Sequence, residues 1–346
     1  MNPLRYFSNS GLMEFPFLCP FRYEKELKIY MNKTRFPIIL GNITAPTKIE
    51  EWQNYESRSW ILFSKINDLM VTGSGSGVID GRGHVWWSRA LTFLKIENLQ
   101  LSGLTHLDSP RAHIRLQNCT FAKLSSLLIR PLKTAPTPMG SPLLTQATSE
   151  SFYGRWKYSL FIHFVSDDCI SIKGGSSIID VAGVKCGPGH GISVGSLGYK
   201  GAYDTVEGVD VRNCVFKSSD NGARIKTWEG GSGYVRNIHF ENILVSKAQN
   251  PIIIDQNYSD DQNRDSKVRP PAVKVSNVTY RNVKGISGNE PSIKLRCAGG
   301  TPCTDIVMHR IKLDSLEPGK RSYADCENVV NATFSFVDPP ISCHTS

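Results

Sequence analysis

The stretch "SDDCISIKGG", Ser166 to Gly175, sets two adjacent carboxylates before a cysteine and an alternating Ile-Ser-Ile-Lys run. Like charges in contact push carboxyl pKa values apart, so that one group holds a proton while its neighbour stays ionised. Those are the states required of a general acid and a base. On a solvated turn the same pair would mean little, so the partners that Asp167 and Asp168 meet decide the matter. Gly189-His190-Gly191 follows within a few tens of residues, then Arg224-Ile225-Lys226, then "DQNY" ending at Tyr258.

Arg224 and Lys226 are two positions apart, which on a strand points both side chains to one face. That gives a guanidinium fork and an ammonium able to grip a substrate carboxylate. His190 can hydrogen-bond a sugar or tune a neighbouring carboxyl, and its flanking glycines would let a sugar approach the backbone. Tyr258 offers a ring and a hydroxyl. Taken singly, each residue has a plain role: a turn histidine, an exposed strand face, an edge tyrosine. Their recurrence at similar intervals favours one open groove holding Asp167, Asp168, His190, Arg224, Lys226 and Tyr258.

The elements that must position these residues are short strands. From about Ile61 onward, apolar segments such as "NDLMVTGSGSGVID", "ENLQLSGLTHL", "VEGVDVRNCVF" and "YVRNIHFENILV" alternate with Asn, Gly and Ser turns, with almost no helical periodicity. Ile170/Ile172, Ile192/Val194, Ala223/Ile225 and Ile252/Ile254 form one recurring series, and Asn213, Asn242 and Asn282 mark another. A two-sheet sandwich would also be built from short strands, but the tight Asn-Gly and Asp-Gly hairpins it favours are scarce. An all-β parallel β-helix fits better, because stacked coils line up like residues in internal ladders. We expect one parallel β-helix over residues 61–346, with residues 1–60 as an atypical N-terminal cap. The segment 138–165 preserves no obvious coil.

Two further motifs carry less. "GSGSGVIDGRG", Gly73 to Gly83, lacks the Gly-Lys-Ser/Thr ending of a phosphate loop, so turn glycines account for it. Trp86-Trp87 is either a sugar platform or packing under the cap. The 346 residues carry a net charge of +9, which favours an acidic partner. With no Lys/Arg block or nucleic-acid module, nucleic acid is not the expected one. No apolar run approaches the ~18 residues of a membrane span.

Nine cysteines are many for a reducing compartment, and none forms a Cys-x-x-Cys zinc pair. Cys169 with Cys186, Cys297 with Cys303, and Cys326 with Cys343 are the candidate disulfides; Cys19, Cys119 and Cys214 have no assigned partner. Six glycosylation sequons, at Asn32, Asn42, Asn118, Asn257, Asn277 and Asn331, also fit a secreted protein. The first residues, "MNPLRYFSNSGLMEFPFLCPF", lack the uninterrupted apolar core of a signal peptide.

"SDDC", "GPGHGISVGSLG", "NGARIKTWEGG" and "NPIIIDQNY" together resemble the plant-type polygalacturonases, inverting hydrolases of the pectin backbone in glycoside hydrolase family 28. "ILGNITAPTK", "GSGVIDGRG" with its tryptophan pair, and "LTFLKIENLQLSGLTHLDSP" extend the likeness over residues 38–345. The resemblance implies a right-handed parallel β-helix and hydrolysis of α-1,4-galacturonosyl bonds. Asp167 would protonate the leaving glycosidic oxygen and Asp168 would position and deprotonate the attacking water. His190 would support the acid, Arg224 and Lys226 would bind galacturonate carboxylates, and Tyr258 would contact the sugar. It implies no cofactor or metal, a monomer, an acidic polysaccharide as partner, and a secreted, cell-wall location.

The departures are sharp. The family carries an Asn-Thr-Asp motif one coil before the acidic pair, whose carboxylate shares the base role; here "PMGSPLLTQATSESFYGRWKYSLFIHFV" stands in its place. Phe164-Val165-Ser166 replaces the usual Gly-Thr-Gly, and Ser259 follows "QNY" where cysteine is frequent. Abrupt loss between well-matched blocks points to a variant splice product, a misread exon boundary or a decaying gene copy. The alternative function is therefore a catalytically impaired pectin-binding β-helix. A hydrolase of substituted pectin fits less well, because the Arg-Ile-Lys grip favours plain galacturonate. A pectate lyase fits least, because no calcium-binding acidic cluster with an arginine base can be assigned.

Overall fold

A computed structural model describes residues 12–14, 27–29, 36–45, 59–82, 90–109, 112–130, 167–258 and 272–345. Strands run parallel in two sheets, one of sixteen strands and one of ten among these residues. The chain passes from a ten-sheet strand to the sixteen-stranded sheet and back, one turn of a parallel β-helix per pass. In the ten-stranded sheet Ile114–Gln117, Ile170–Ile172, Ile192–Leu197, Asn221–Trp228, Asn250–Tyr258 and Ile293–Arg296 are successive rungs.

The apolar ladder legible in the sequence is the core. Ile170, Ile192, Ala223, Ile252 and Ile293 are in register, as are Ile172, Val194, Ile225, Ile254 and Leu295. All ten are fully buried. Period-2 alternation sends these side chains inward and leaves Ser171, Ser193, Arg224 and Lys226 on the outer face. Aromatic pairs stack between coils as well: Phe63 on Phe93 at 5.1 Å and Phe240 on Tyr280 at 5.3 Å between ring centroids.

The recurring asparagines are turn residues. Asn213, Asn242 and Asn282 sit one above another, each with φ between 52° and 55°. Asparagine tolerates the left-handed region that most L-residues avoid. Their side chains then form a ladder: Asn242 Nδ2 donates to Asn213 Oδ1 at 3.2 Å and Asn282 Nδ2 to Asn242 Oδ1 at 2.9 Å. Arg310 and Phe336 take the same conformation in the next two coils, with φ of 55°.

Three disulfides join the cysteine pairs anticipated above: Cys169–Cys186, Cys297–Cys303 and Cys326–Cys343. Cys119 and Cys214 are free and buried. Cys19, Trp86-Trp87 and the segment 138–165 lie outside the described residues. Within residues 1–60, Leu12–Glu14, Leu27–Ile29, Phe36–Ile38 and Asn42–Thr44 pair in parallel with the sheets. Among the described residues the helical structure is the 3-10 turn Tyr199–Gly201, and no helix is long and apolar enough to cross a membrane.

One contact governs the site. Ile114–Gln117 is hydrogen-bonded directly to Ile170–Ile172, and Thr120–Ser125 directly to Ser176–Ala182. Coils whose strands lie on either side of residues 131–166 are therefore immediate neighbours in the stack.

Candidate active site

Asp167 and Asp168 lie one residue before the strand Ile170–Ile172. The backbone N–H of His113 donates to the Asp168 carbonyl at 2.8 Å, and the His190 N–H to the Asp167 carbonyl at 3.1 Å. The acidic pair is thus stapled to the coil on each side. Cys169, next in sequence, is tied to Cys186.

The two carboxyls have opposite surroundings. Asp168 is 2% exposed at its side chain. Its Oδ1 accepts from Ser193 Oγ at 2.7 Å and from Arg224 Nη2 at 2.5 Å, and its Oδ2 from Lys226 Nζ at 3.0 Å. Arg224 Nε also donates to Ser193 Oγ at 2.8 Å, closing the network. Burial by itself would raise the Asp168 pKa, but Lys226, Arg224, Lys173 and His190 together hold it well below the ordinary carboxylate range. Asp168 is an ionised anion that accepts from three side chains, two at Oδ1 and one at Oδ2.

Asp167 is 33% exposed, and its Oδ1 accepts the Asp168 backbone N–H at 2.6 Å. His190 Nδ1 lies 3.9 Å from that same oxygen. The other ring nitrogen, Nε2, lies 3.3 Å from Asp220 Oδ2. Gly191 follows His190 for a packing reason: at φ 75°, a Cβ there would come within 2.2 Å of the Gly222 carbonyl oxygen on the next coil. That glycine makes room for backbone rather than for sugar.

Arg224 and Lys226 are buried, at 8% and 5% exposure. The expected grip on a substrate carboxylate must be shared with Asp168. Lys226 also lies over the Tyr258 ring, 5.1 Å from its centroid, so it joins the acidic pair to the aromatic rim. Tyr258 packs edge-on against Trp228 at 5.0 Å, and Trp228 against Tyr199 at 4.9 Å. All six residues expected in the groove therefore meet along one face, linked through Asp168, Lys226 and His190.

Sequence reading missed Ser193, Lys173, Asp220 and the Trp228–Tyr199 extension of the rim. Ser193 and Lys173 had a usable signal, since each alternates with buried isoleucine or valine and so faces outward with Arg224 and Lys226. Lys173 loses most of its solvent and feels the Lys226 charge, and together these lower its pKa to about 7 against the attraction of Asp168 and Asp167.

Asp167, Asp168 and His190 each bring one donor atom within 4.8 Å of the others. Both Asp168 oxygens are already committed to cationic donors, however, so the trio is a poor cage for another cation. Counting back from Ile114 opposite Ile170, the residue beneath Asp168 in the preceding coil is Ala112. Among the described residues, alanine stands where the family resemblance called for a third carboxylate.

Residues 32–335 match the family profile described as Glycosyl hydrolases family 28. The chain is 41% identical over 317 residues to a probable polygalacturonase of Arabidopsis thaliana, covering 89% of this chain and 67% of that protein. It is 36% identical to a polygalacturonase of Malus domestica, with 81% and 61% covered, and 36% identical to polygalacturonase-2 of Solanum lycopersicum, with 84% and 64% covered. The chain therefore spans about two thirds of the length of these relatives. Among solved structures, the endo-xylogalacturonan hydrolase from Aspergillus tubingensis superposes with a TM-score of 0.65 at 20% identity, over 94% of this chain and 92% of that one. The polygalacturonase from Erwinia carotovora ssp. carotovora does so with 0.53 at 16% identity, over 89% and 85%. Both share the fold.

Proposed function

The chain belongs to glycosyl hydrolases family 28, and on that premise we propose that it hydrolyses α-1,4-galacturonosyl bonds in polygalacturonan by inverting acid/base chemistry. The observation that carries the reading is the split environment of the acidic pair. Asp167 is solvent-accessible beside His190 and serves as the general acid toward the leaving oxygen. Asp168, kept ionised by Arg224 and Lys226, orients the attacking water, accepts its proton as the base and supplies the negative charge that favours an oxocarbenium-like transition state. Arg224 and Lys226 carry more positive charge than Asp168 cancels, so the groove remains attractive to a galacturonate carboxylate. Tyr258 and Trp228 pack against the sugar ring.

The substrate is an acidic polysaccharide of the cell wall and the protein acts as a secreted monomer, a location supported by its three disulfides. The second reading, a groove that binds pectin with little turnover, is favoured by Ala112 beneath Asp168. A missing base typically lowers the rate by about 10²–10⁴-fold.

Release of reducing ends from polygalacturonic acid by the chain and by its Asp167→Asn variant tests the proposal. Release that the variant abolishes supports hydrolysis. Background release from both folded proteins, with retained binding to immobilised polygalacturonate, would establish the second reading instead.

A further inference from the structure

Asp220 has no part in the roles assigned so far, yet it completes a bridge across three consecutive coils. Its backbone N–H donates to the Gly189 carbonyl at 2.7 Å, which fastens it to the residue preceding His190. His190 is fastened in turn to Asp167 by its own backbone N–H at 3.1 Å. With both ends fixed, the imidazole stands between two carboxylates: Asp220 Oδ2 at 3.3 Å from Nε2 and Asp167 Oδ1 at 3.9 Å from Nδ1. The three side chains are 28%, 24% and 33% exposed respectively, so the bridge borders the groove without being sealed from solvent.

We propose that Asp220 is a positioning residue for the reaction, acting through His190, an inference that rests on the hydrolase reading above. A neutral imidazole carries one N–H, and the hydrogen bond made at one ring nitrogen decides which nitrogen holds it. A carboxylate oxygen 3.3 Å from Nε2 favours the proton on that nitrogen and leaves the Nδ1 lone pair facing Asp167. It also opposes the ring flip that would exchange the two nitrogens. The Asp168 oxygens accept instead from Ser193, Arg224 and Lys226. Among the described residues of the preceding coil, the one beneath Asp168 is Ala112, which carries no carboxylate. In this chain the carboxylate that supports His190 comes from the coil above.

The test compares the chain with its Asp220→Ala and Asp220→Glu variants by two readouts. The first is steady-state hydrolysis of polygalacturonic acid. Asp220→Ala is expected to lower kcat roughly ten- to hundredfold with KM little changed, and Asp220→Glu to recover most of the loss. The second is the pair of ring nitrogen shifts of His190 in 15N-labelled protein, followed upward in pH until the ring is neutral. The starting chain should show a protonated Nε2, and Asp220→Ala a mixture of tautomers.

A rise in KM at constant kcat would mean that Asp220 touches substrate, and would overturn the positioning role. So would unchanged nitrogen shifts in a variant that melts like the starting chain. If the starting chain releases no reducing ends, the hydrolase reading fails by itself, and the nitrogen shifts alone decide whether Asp220 fixes His190.

Discussion

Asp167 and Asp168 are covalent neighbours whose carboxyls sit in opposite dielectric environments. Asp167 is 33% exposed beside His190, whereas Asp168 is 2% exposed with Arg224 at 2.5 Å and Lys226 at 3.0 Å. Side chains of consecutive residues leave the backbone in opposing directions near a strand end. Here one enters the groove and the other turns into the network that underlies it.

Their asparagine variants should therefore fail differently. Asp167→Asn removes the proton donor and should abolish hydrolysis with a stability change within about 0.5 kcal/mol. Asp168→Asn leaves Arg224 and Lys226 buried without a counter-charge, which should cost about 3–5 kcal/mol. Denaturant unfolding of the two variants separates them, and equal loss of stability in both would contradict the assignment.

Acid stability follows from the same network. The folded-state pKa of Asp168 is depressed by Lys226 and Arg224 against the opposing effect of burial. The unfolded chain then binds a proton more readily than the folded one. The stabilisation is complete above the ordinary aspartate range, about pH 4, and declines as pH falls further. The midpoint for urea unfolding should drop between about pH 4 and pH 2 in the starting chain. Asp168→Asn should show a shallower slope there.

Lys173 works in the other direction. Burial first, and the Lys226 charge second, lower its pKa from 10.5 to about 7. Between those values the unfolded chain binds the additional proton, so stability rises with pH across that window. Below it the cost of holding a charged lysine in the groove is present in full. Lys173→Met should stabilise the protein at pH near 6, with the gain fading toward pH 10. A gain of constant size across that range would place the lysine's effect in packing rather than charge.

The Cys169–Cys186 bond holds the residue after Asp168 to the neighbouring leg of the coil, across a sequence separation of 17. Replacing both cysteines by alanine should lower stability by about 3 kcal/mol and reduce kcat, because the acidic pair loses its nearest covalent anchor. Loss of stability with full kcat in the surviving folded fraction would show that the backbone ladder alone keeps the carboxyls in place.

Much of this molecule could be read from its residue order. Alternating aliphatics separated by asparagine turns specify stacked parallel coils, because the inward positions have no other way to leave water. Arg224 and Lys226 share a face by strand period alone, and the three cysteine pairs lie close enough in sequence for their bonds to be anticipated.

The rest depended on which coils touch. Coil length varies along the chain, so neither the partnership of Asp168 with Arg224 and Lys226 nor the bridge from Asp167 through His190 to Asp220 follows from spacing. Nor does the direct contact of Ile114 with Ile170 across residues 131–166, which sets Ala112 beneath Asp168. The sequence by itself determined the repeating strand, its buried face and the reactive residue types. Tertiary stacking decided which charges meet, because hydrogen-bond register between coils converts separations of tens of residues into contacts of about 3 Å.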